Sequence, residues 1–331
     1  TGRIRTSKSA GKAFDIRARP LTAVGWLMCC GMLFSGGSRA APPSAANLAA
    51  EVGWGHESQT SPLVQISPQG TLIFIGGQRR LAGSHWRTNV SGLRDWPLFG
   101  DVRLALAGDL HVKRSLPTPD FDFLNASFSP ALRTSLGEWG NIGVAGHWQH
   151  IDVAGAHFRN ARSLQVDWTY ADGHGGHWVI MADAGKNRHR GELSDLDSTS
   201  TTLLLQRHVE APLPGIDAAD LELYLVRERN DRGFDELASR SHLLRASLEH
   251  AWLGVTWSAG LAWQQARFAT ALLPTLPVRR DEAWTIELAA AVELAPGRTL
   301  RVDYVGVRNE SNIALYQNRY RQISVALQFT W

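Results

Sequence analysis

The 331-residue chain has little cysteine: two residues, Cys29 and Cys30, side by side near the N-terminus. Everything beyond them is free of thiols. Disulfides, cysteine-based metal sites and thiol nucleophiles are therefore excluded from the bulk of the protein. Charge of one sign is also lacking, since 34 Lys and Arg stand against 31 Asp and Glu. Most of that small basic excess lies in the N-terminal tail, so no nucleic-acid partner is expected. After residue 34 there is no long hydrophobic run. A chain with 20% charged and 44% hydrophobic residues is too polar for a bundle of membrane helices. Long amphipathic helical periodicity is missing, and so is the repeat of about 34 residues that marks tetratricopeptide arrays. No Gly-x-Ser-x-Gly elbow or comparable nucleophile motif occurs. No catalytic residue and no cofactor is assigned, and the chain is not expected to be an enzyme.

The first forty residues read as a targeting segment. Arg3, Arg5, Lys8, Lys12, Arg17 and Arg19 make a basic region, and Leu21 to Phe34 is apolar. Ser38-Arg39-Ala40 then supplies small residues suited to cleavage before Ala41. The apolar stretch is short for a transmembrane helix. The bulky Leu27 and Met28 ahead of the cysteines argue against lipidation. The expected organisation is a signal peptide over 1–40, a short periplasmic lead-in over 41–46 and one domain over 47–331.

What that domain has in abundance is alternation. In its last stretch Ile323, Val325, Leu327, Phe329 and Trp331 fall on one face of a strand, and Gln322, Ser324, Ala326, Gln328 and Thr330 on the other. Trp284, Ile286, Leu288, Ala290 and Val292 alternate in the same way with Thr285, Glu287, Ala289, Ala291 and Glu293. Fourteen such segments are expected: Asn47–Ser58, Ser84–Leu98, Asp101–Lys113, Phe121–Arg133, Asn141–Val153, Ser163–Tyr170, Gly176–Gly185, Thr201–Val209, Asp220–Arg229, Ser241–Ala251, Gly254–Phe268, Glu282–Leu294, Leu300–Arg308 and Arg319–Trp331. Between them, long polar connections (59–83, 114–120, 154–160, 187–198, 230–240, 269–281, 309–318) alternate with short ones at Phe99-Gly100, Gly137-Glu138, Asp172-Gly173, Trp252-Leu253 and Pro296-Gly297. Only 210–218 breaks the rhythm, being too long for a turn. An even strand number with alternating long loops and short turns predicts an all-β fold: a transmembrane antiparallel outer-membrane β-barrel of about 14 strands, in contact with outer-membrane lipid. The 13 tryptophans fit aromatic girdles at the two membrane interfaces.

Charges opposite the apolar face cannot point at lipid, where each would cost about 2–4 kcal/mol near the midplane. Arg103, Asp109, Lys113, Asp167, Arg245, Glu249, Glu287, Glu293, Arg301 and Asp303 are therefore expected to line a polar lumen, both signs together forming ion pairs. The histidines His147, His150, His157, His174, His177 and His189 cluster in sequence. Their spacing matches no metal-binding signature, and no metal is assigned. Phe329 and Trp331 end the lipid-facing row and are expected to be needed for assembly of the barrel.

The C-terminal hairpin is more specific than the general pattern. Arg308-Asn309-Glu310-Ser311-Asn312-Ile313-Ala314-Leu315-Tyr316 resembles the closing hairpin of the surface lipoprotein assembly modifier (Slam) family, with Ser311, Asn312, Ile313, Leu315 and Tyr316 carrying the match. Gly53-Trp54-Gly55-His56-Glu57-Ser58 resembles that family's opening strand more loosely. The resemblance spans about residues 47–331. It implies a fourteen-stranded barrel that helps move lipoproteins to the cell surface, and a C-terminal aromatic read by the barrel-assembly machinery. Family members usually add an N-terminal periplasmic tetratricopeptide domain, which is expected here to be missing or supplied separately. Two functions stay open: a translocator with a surface lipoprotein client, or a passive porin for small solutes.

Overall fold

The structure is a computed structural model, and it describes residues 47–66, 72–116, 122–173, 175–272 and 274–331. The expected signal peptide and lead-in lie outside the described residues. Fourteen strands follow one another: β1 (Asn47–Ile66), β2 (Leu72–Phe99), β3 (Val102–Ser115), β4 (Phe123–Ser135), β5 (Asn141–Val153), β6 (Ala156–Ala171), β7 (Gly176–His189), β8 (Ser198–Leu213), β9 (Ile216–Asn230), β10 (Ser239–Trp252), β11 (Val255–Phe268), β12 (Arg280–Ala295), β13 (Arg298–Ser311) and β14 (Asn318–Thr330). Each pairs antiparallel with the next, and β14 pairs with β1 from Ala49↔Thr330 to Thr60↔Arg319, closing the sheet into a barrel. Closure removes the strand edges within the wall, so ladder groups there find partners without water.

Alternation decides which side each residue takes. On β12, Trp284, Ile286 and Leu288 are exposed on the outside while Ala283 is buried inside. On β14, Ile323 and Val325 face out while Ser324 and Ala326 are buried. Phe329 and Trp331 stack on the same outer face, with ring centroids 6.1 Å apart. The outside is an apolar belt with tryptophans towards both ends. Trp54 opposes Trp86 and Trp263 opposes Trp284 towards one end. Trp252 and Trp331 mark the other. Such a surface is stable only against hydrocarbon, and the interior only against water. The protein is an outer-membrane β-barrel.

Both described chain ends lie at the rim where the connections are short, here the turn end; the other rim is the loop end. Three expectations about connections are corrected. The segment 59–83 is not a loop, because β1 runs on to Ile66 and β2 starts at Leu72. Their pairing continues to Ile66↔Leu72, through a bulge at Pro62/Val64, whereas β14 leaves β1 at Thr60 and β3 leaves β2 at His85. The two strands thus extend past the rim as a two-stranded arm. Pro62 gives the polar look of a loop, yet a bulge accommodates proline within a strand. The segment 154–160 is also strand, apart from Ala154 and Gly155, whose φ angles of 55° and 73° make a two-residue reversal. Finally, 210–218 is a tight turn: β8 reaches Leu213 and β9 begins at Ile216, with the surplus residues absorbed in a bulge between Glu210 and Leu213.

Candidate functional site

The interior face of the barrel carries the chemistry, and two of its polar clusters form walls of linked ion pairs. The first wall lies at the seam where β1 meets β14. Arg87 of β2 reaches across β1 and β14 to Asp303 of β13, with Nη2 2.8 Å from Oδ2. The same nitrogen lies 2.9 Å from Glu51 Oε1. A side chain can bridge those strands only across the concave face, so all three groups are lumenal. Arg301 pairs with the other oxygen of Asp303 nearer the turn end. Towards the loop end, Lys113 of β3 donates to both carboxylate oxygens of Glu57 on β1, each at 3.0 Å. Tyr320 of β14 donates to Glu57 as well, at 3.0 Å. His85 is wholly buried between these layers. Its ring lies on Gly55, where a Cβ would come within 2.7 Å of Nε2. Gly55 is thus required for close approach rather than for a turn.

The second wall is built by β9, β10 and β12. Arg245 lies between Glu287, at 2.5 Å, and Glu222, at 3.7 Å. Tyr224 donates to Glu222 Oε2 at 2.9 Å. Near the turn end, Arg103 pairs with Asp95 at 2.8 Å. On the interior face of β3, β4 and β5, the small residues Ala105, Ala131 and Ala145 are buried side by side.

The structure places eight of the ten charges singled out in the sequence next to an exposed apolar residue; Arg103, between half-buried Val102 and Leu104, and Lys113, between half-buried Val112 and exposed Arg114, are the exceptions. It brings Lys113, Arg103, Arg245, Glu287, Arg301 and Asp303 into the pairs above. Asp109, Asp167, Glu249 and Glu293 have no Lys or Arg within ion-pair distance among the described residues. Two further inward acids, Asp183 and Glu228, are in the same position. The lumen therefore combines ion pairs with an acidic surplus. The sequence reasoning passed over Glu51, Glu57, Arg87, Glu222 and Glu228. Glu222 carried the usual signal, lying between exposed Leu221 and Leu223. Glu228 carried none, since its outward neighbours are Arg227 and Arg229. Glu57 lies between polar His56 and Ser58, which hides the strand face.

The histidines separate. His147 faces inward, 2.7 Å from Ser129 Oγ. His177 stacks on His208 at 4.8 Å near the turn end. His189 is T-stacked on Phe158. His174 lies outside the described residues. On the outer face near the loop end, His150, Asp152 and His157 bring one potential ligand atom each within 4.8 Å of the others, and these three could hold a metal ion. They also satisfy one another: Asp152 Oδ1 lies 3.0 Å from His150 Nε2 and 3.3 Å from His157 Nδ1. The imidazole rings stack in parallel 4.6 Å apart.

The family-like loop has a structural task. Asn312 accepts from the Arg280 backbone N–H at 2.7 Å and donates to Val278 O at 2.8 Å. Ser311 Oγ accepts from Ile313 N–H at 3.2 Å, and both residues are buried. Arg279 lies 3.4 Å from the centre of the Tyr316 ring and 4.3 Å from that of Phe268. These contacts tie the β13–β14 loop to the start of β12.

No family model matches the chain, and no curated protein matches it. Among solved structures it is similar to OccK9 (OpdG) of Pseudomonas aeruginosa, at 9% identity and a TM-score of 0.47 over 86% of this chain and 98% of that one. It is similar to loop-L8-deleted OmpT of Vibrio cholerae, at 8% identity and 0.47 over 88% and 100%. It is also similar to OccK2 (OpdF) of Pseudomonas aeruginosa, solved with glucuronate, at 11% identity and 0.44 over 87% and 96%.

Proposed function

We propose that this barrel is a passive, cation-preferring diffusion pore for small solutes, with its loop end outside the cell. The observation that carries this reading is the interior wall. The arginines and lysine of the two walls are held against carboxylates, while Asp109, Asp167, Asp183 and Glu249 have no Lys or Arg within ion-pair distance among the described residues. Fixed pairs such as Arg245–Glu287 make a polar, wettable surface, and the surplus carboxylates make the potential along it negative. Concentrating cations in such a channel requires no conformational change. Planar-bilayer recordings test this. The expected result is a steady open conductance whose reversal potential in a KCl gradient has the sign of K⁺ preference. A closed barrel, or anion preference, would overturn the reading.

The translocation reading rests on the closing hairpin, Arg308 to Tyr316. The contacts of Asn312, Ile313 and Tyr316 explain those residues by loop packing, which serves a pore equally well. A barrel that conducts no ions would return the balance to a translocator with a lipoprotein client.

A further inference from the structure

The outer face of the barrel carries an arrangement the pore does not use. Arg227 of β9 is directly opposite Arg240 of β10, Arg240 is opposite Arg267 of β11, and Arg267 is opposite Arg280 of β12. Four neighbouring strands thus place one arginine each on a single rung. All four are exposed, and among the described residues none has a carboxylate within ion-pair distance. Like charges directly opposite on a sheet repel, and here the repulsion is repeated three times. The nearest outward acid is engaged elsewhere: Glu282 Oε1 accepts from the indole N–H of Trp263 at 2.9 Å and of Trp284 at 3.2 Å. Below the rung the same face passes through Gln265 and Glu282, then the Trp263–Trp284 pair, then Leu261 and Ile286. This order runs from charge through aromatic girdle to hydrocarbon.

We infer that this rung, Arg227–Arg240–Arg267–Arg280, is a binding site for the phosphorylated headgroup of a glycolipid in the outer leaflet. The position is right, because the row lies beyond the tryptophans towards the loop end, at the level where lipid phosphates begin. The residue type is right, because guanidinium forks bind phosphate bidentately and tolerate partial desolvation better than an ammonium. The span is right as well. Three strand spacings of about 4.8 Å put the outer guanidiniums roughly 14 Å apart along the sheet. A disaccharide phosphorylated at both ends can therefore engage two arginines at each end, with its acyl chains running down over Leu261 and Ile286. The bound phosphates supply the counter-charge that the protein lacks.

The test compares the whole barrel with an Arg267→Gln/Arg280→Gln variant, and with Arg94→Gln/Arg298→Gln as a control that removes the same charge at the turn end. Native mass spectrometry is run with bisphosphorylated lipid A, with dephosphorylated lipid A and with inorganic phosphate alone. Wild type and control should retain bisphosphorylated lipid A, and the rung variant should lose at least tenfold in occupancy. The dephosphorylated lipid should bind weakly to all three. Thermal unfolding gives a second readout that a merely structural role would not produce. In neutral detergent the rung variant should melt higher than wild type, because repulsion is removed. In lipid A-containing bilayers it should melt lower. Equal retention by all variants, indifference to the lipid phosphates, or a melting shift of the same sign in both media would overturn the proposal. Retention of inorganic phosphate as strong as that of lipid A would overturn the headgroup assignment. Should the double variant not fold, Arg267→Gln alone carries the same comparison.

Discussion

Removing Lys113 tests the claim that the lumen wall is a set of mutually dependent charges. Lys113 and Glu57 have side chains 7% and 9% exposed, and the ammonium touches both carboxylate oxygens at 3.0 Å. Breaking a buried pair by deleting one partner costs about 3–5 kcal/mol, because the other charge is left unpaired. Glu57 keeps the Tyr320 hydroxyl at 3.0 Å, which moves the expected loss for Lys113→Met to the lower end, about 3 kcal/mol. Glu57→Gln should cost less, since Lys113 can turn towards the lumen water. The double variant should be more stable than Lys113→Met alone, because no bare carboxylate remains. Guanidine unfolding of the refolded barrel in detergent micelles, followed by tryptophan fluorescence, gives all four corners of the cycle. The reasoning is refuted if Lys113→Met loses under about 1 kcal/mol, as a solvated surface pair would. Independent addition of the two single losses would refute it as well.

Further predictions concern closure, orientation and the loops. Replacing Phe329 and Trp331 with Ala removes the stacked aromatics from the outer face, each worth about 1.5–3 kcal/mol when buried in lipid. The folded, heat-modifiable fraction should drop, while Gln328→Ala and Thr330→Ala leave it nearly unchanged; a transport defect with normal folding would contradict the assembly role. Cysteines placed at Asp195 and Gln317 should react with an impermeant maleimide on whole cells, and one at Gly297 should not. The opposite pattern inverts the topology. Asp197 ties two loops together by accepting from His189 N–H at 2.7 Å and pairing with Arg188 at 3.3 Å and Arg232 at 3.4 Å. Burial alone would raise its pKa, but these donors outweigh burial and hold it below the ordinary range. A depressed carboxylate stabilises above its unfolded pKa of about 3.9, and the benefit is lost as pH falls through the lower folded value. Acid-active protease should therefore spare 190–197 at pH 5 and begin to cut it only below pH 4. Asp197→Asn should be cut at both pH values.

Much of this protein was legible because its period is two. The faces of β12 and β14 follow from counting residues, and so does the strand number, since each apolar row needs its own crossing of the membrane. The arm formed by β1 and β2 was not legible: Pro62 and the polar residues around it look like loop, and a bulge keeps them in the ladder. The reversal at Ala154-Gly155 was missed for a related reason, because positive φ at an alanine is decided by the strands on either side. The lumen charges were half visible. Those flanked by apolar residues, such as Glu287, could be assigned to the inside, whereas Glu57 and Glu228 could not. What no strand contains by itself is its register. That Arg87 meets Asp303 across two intervening strands depends on barrel closure. That four arginines share one rung depends on three independent pairings. Alternation is a local property of the backbone, so the sequence by itself determined which way side chains point wherever one face of the strand is plainly apolar. Pairing is set by turns, bulges and closure acting together, so only the tertiary structure decided which side chains meet.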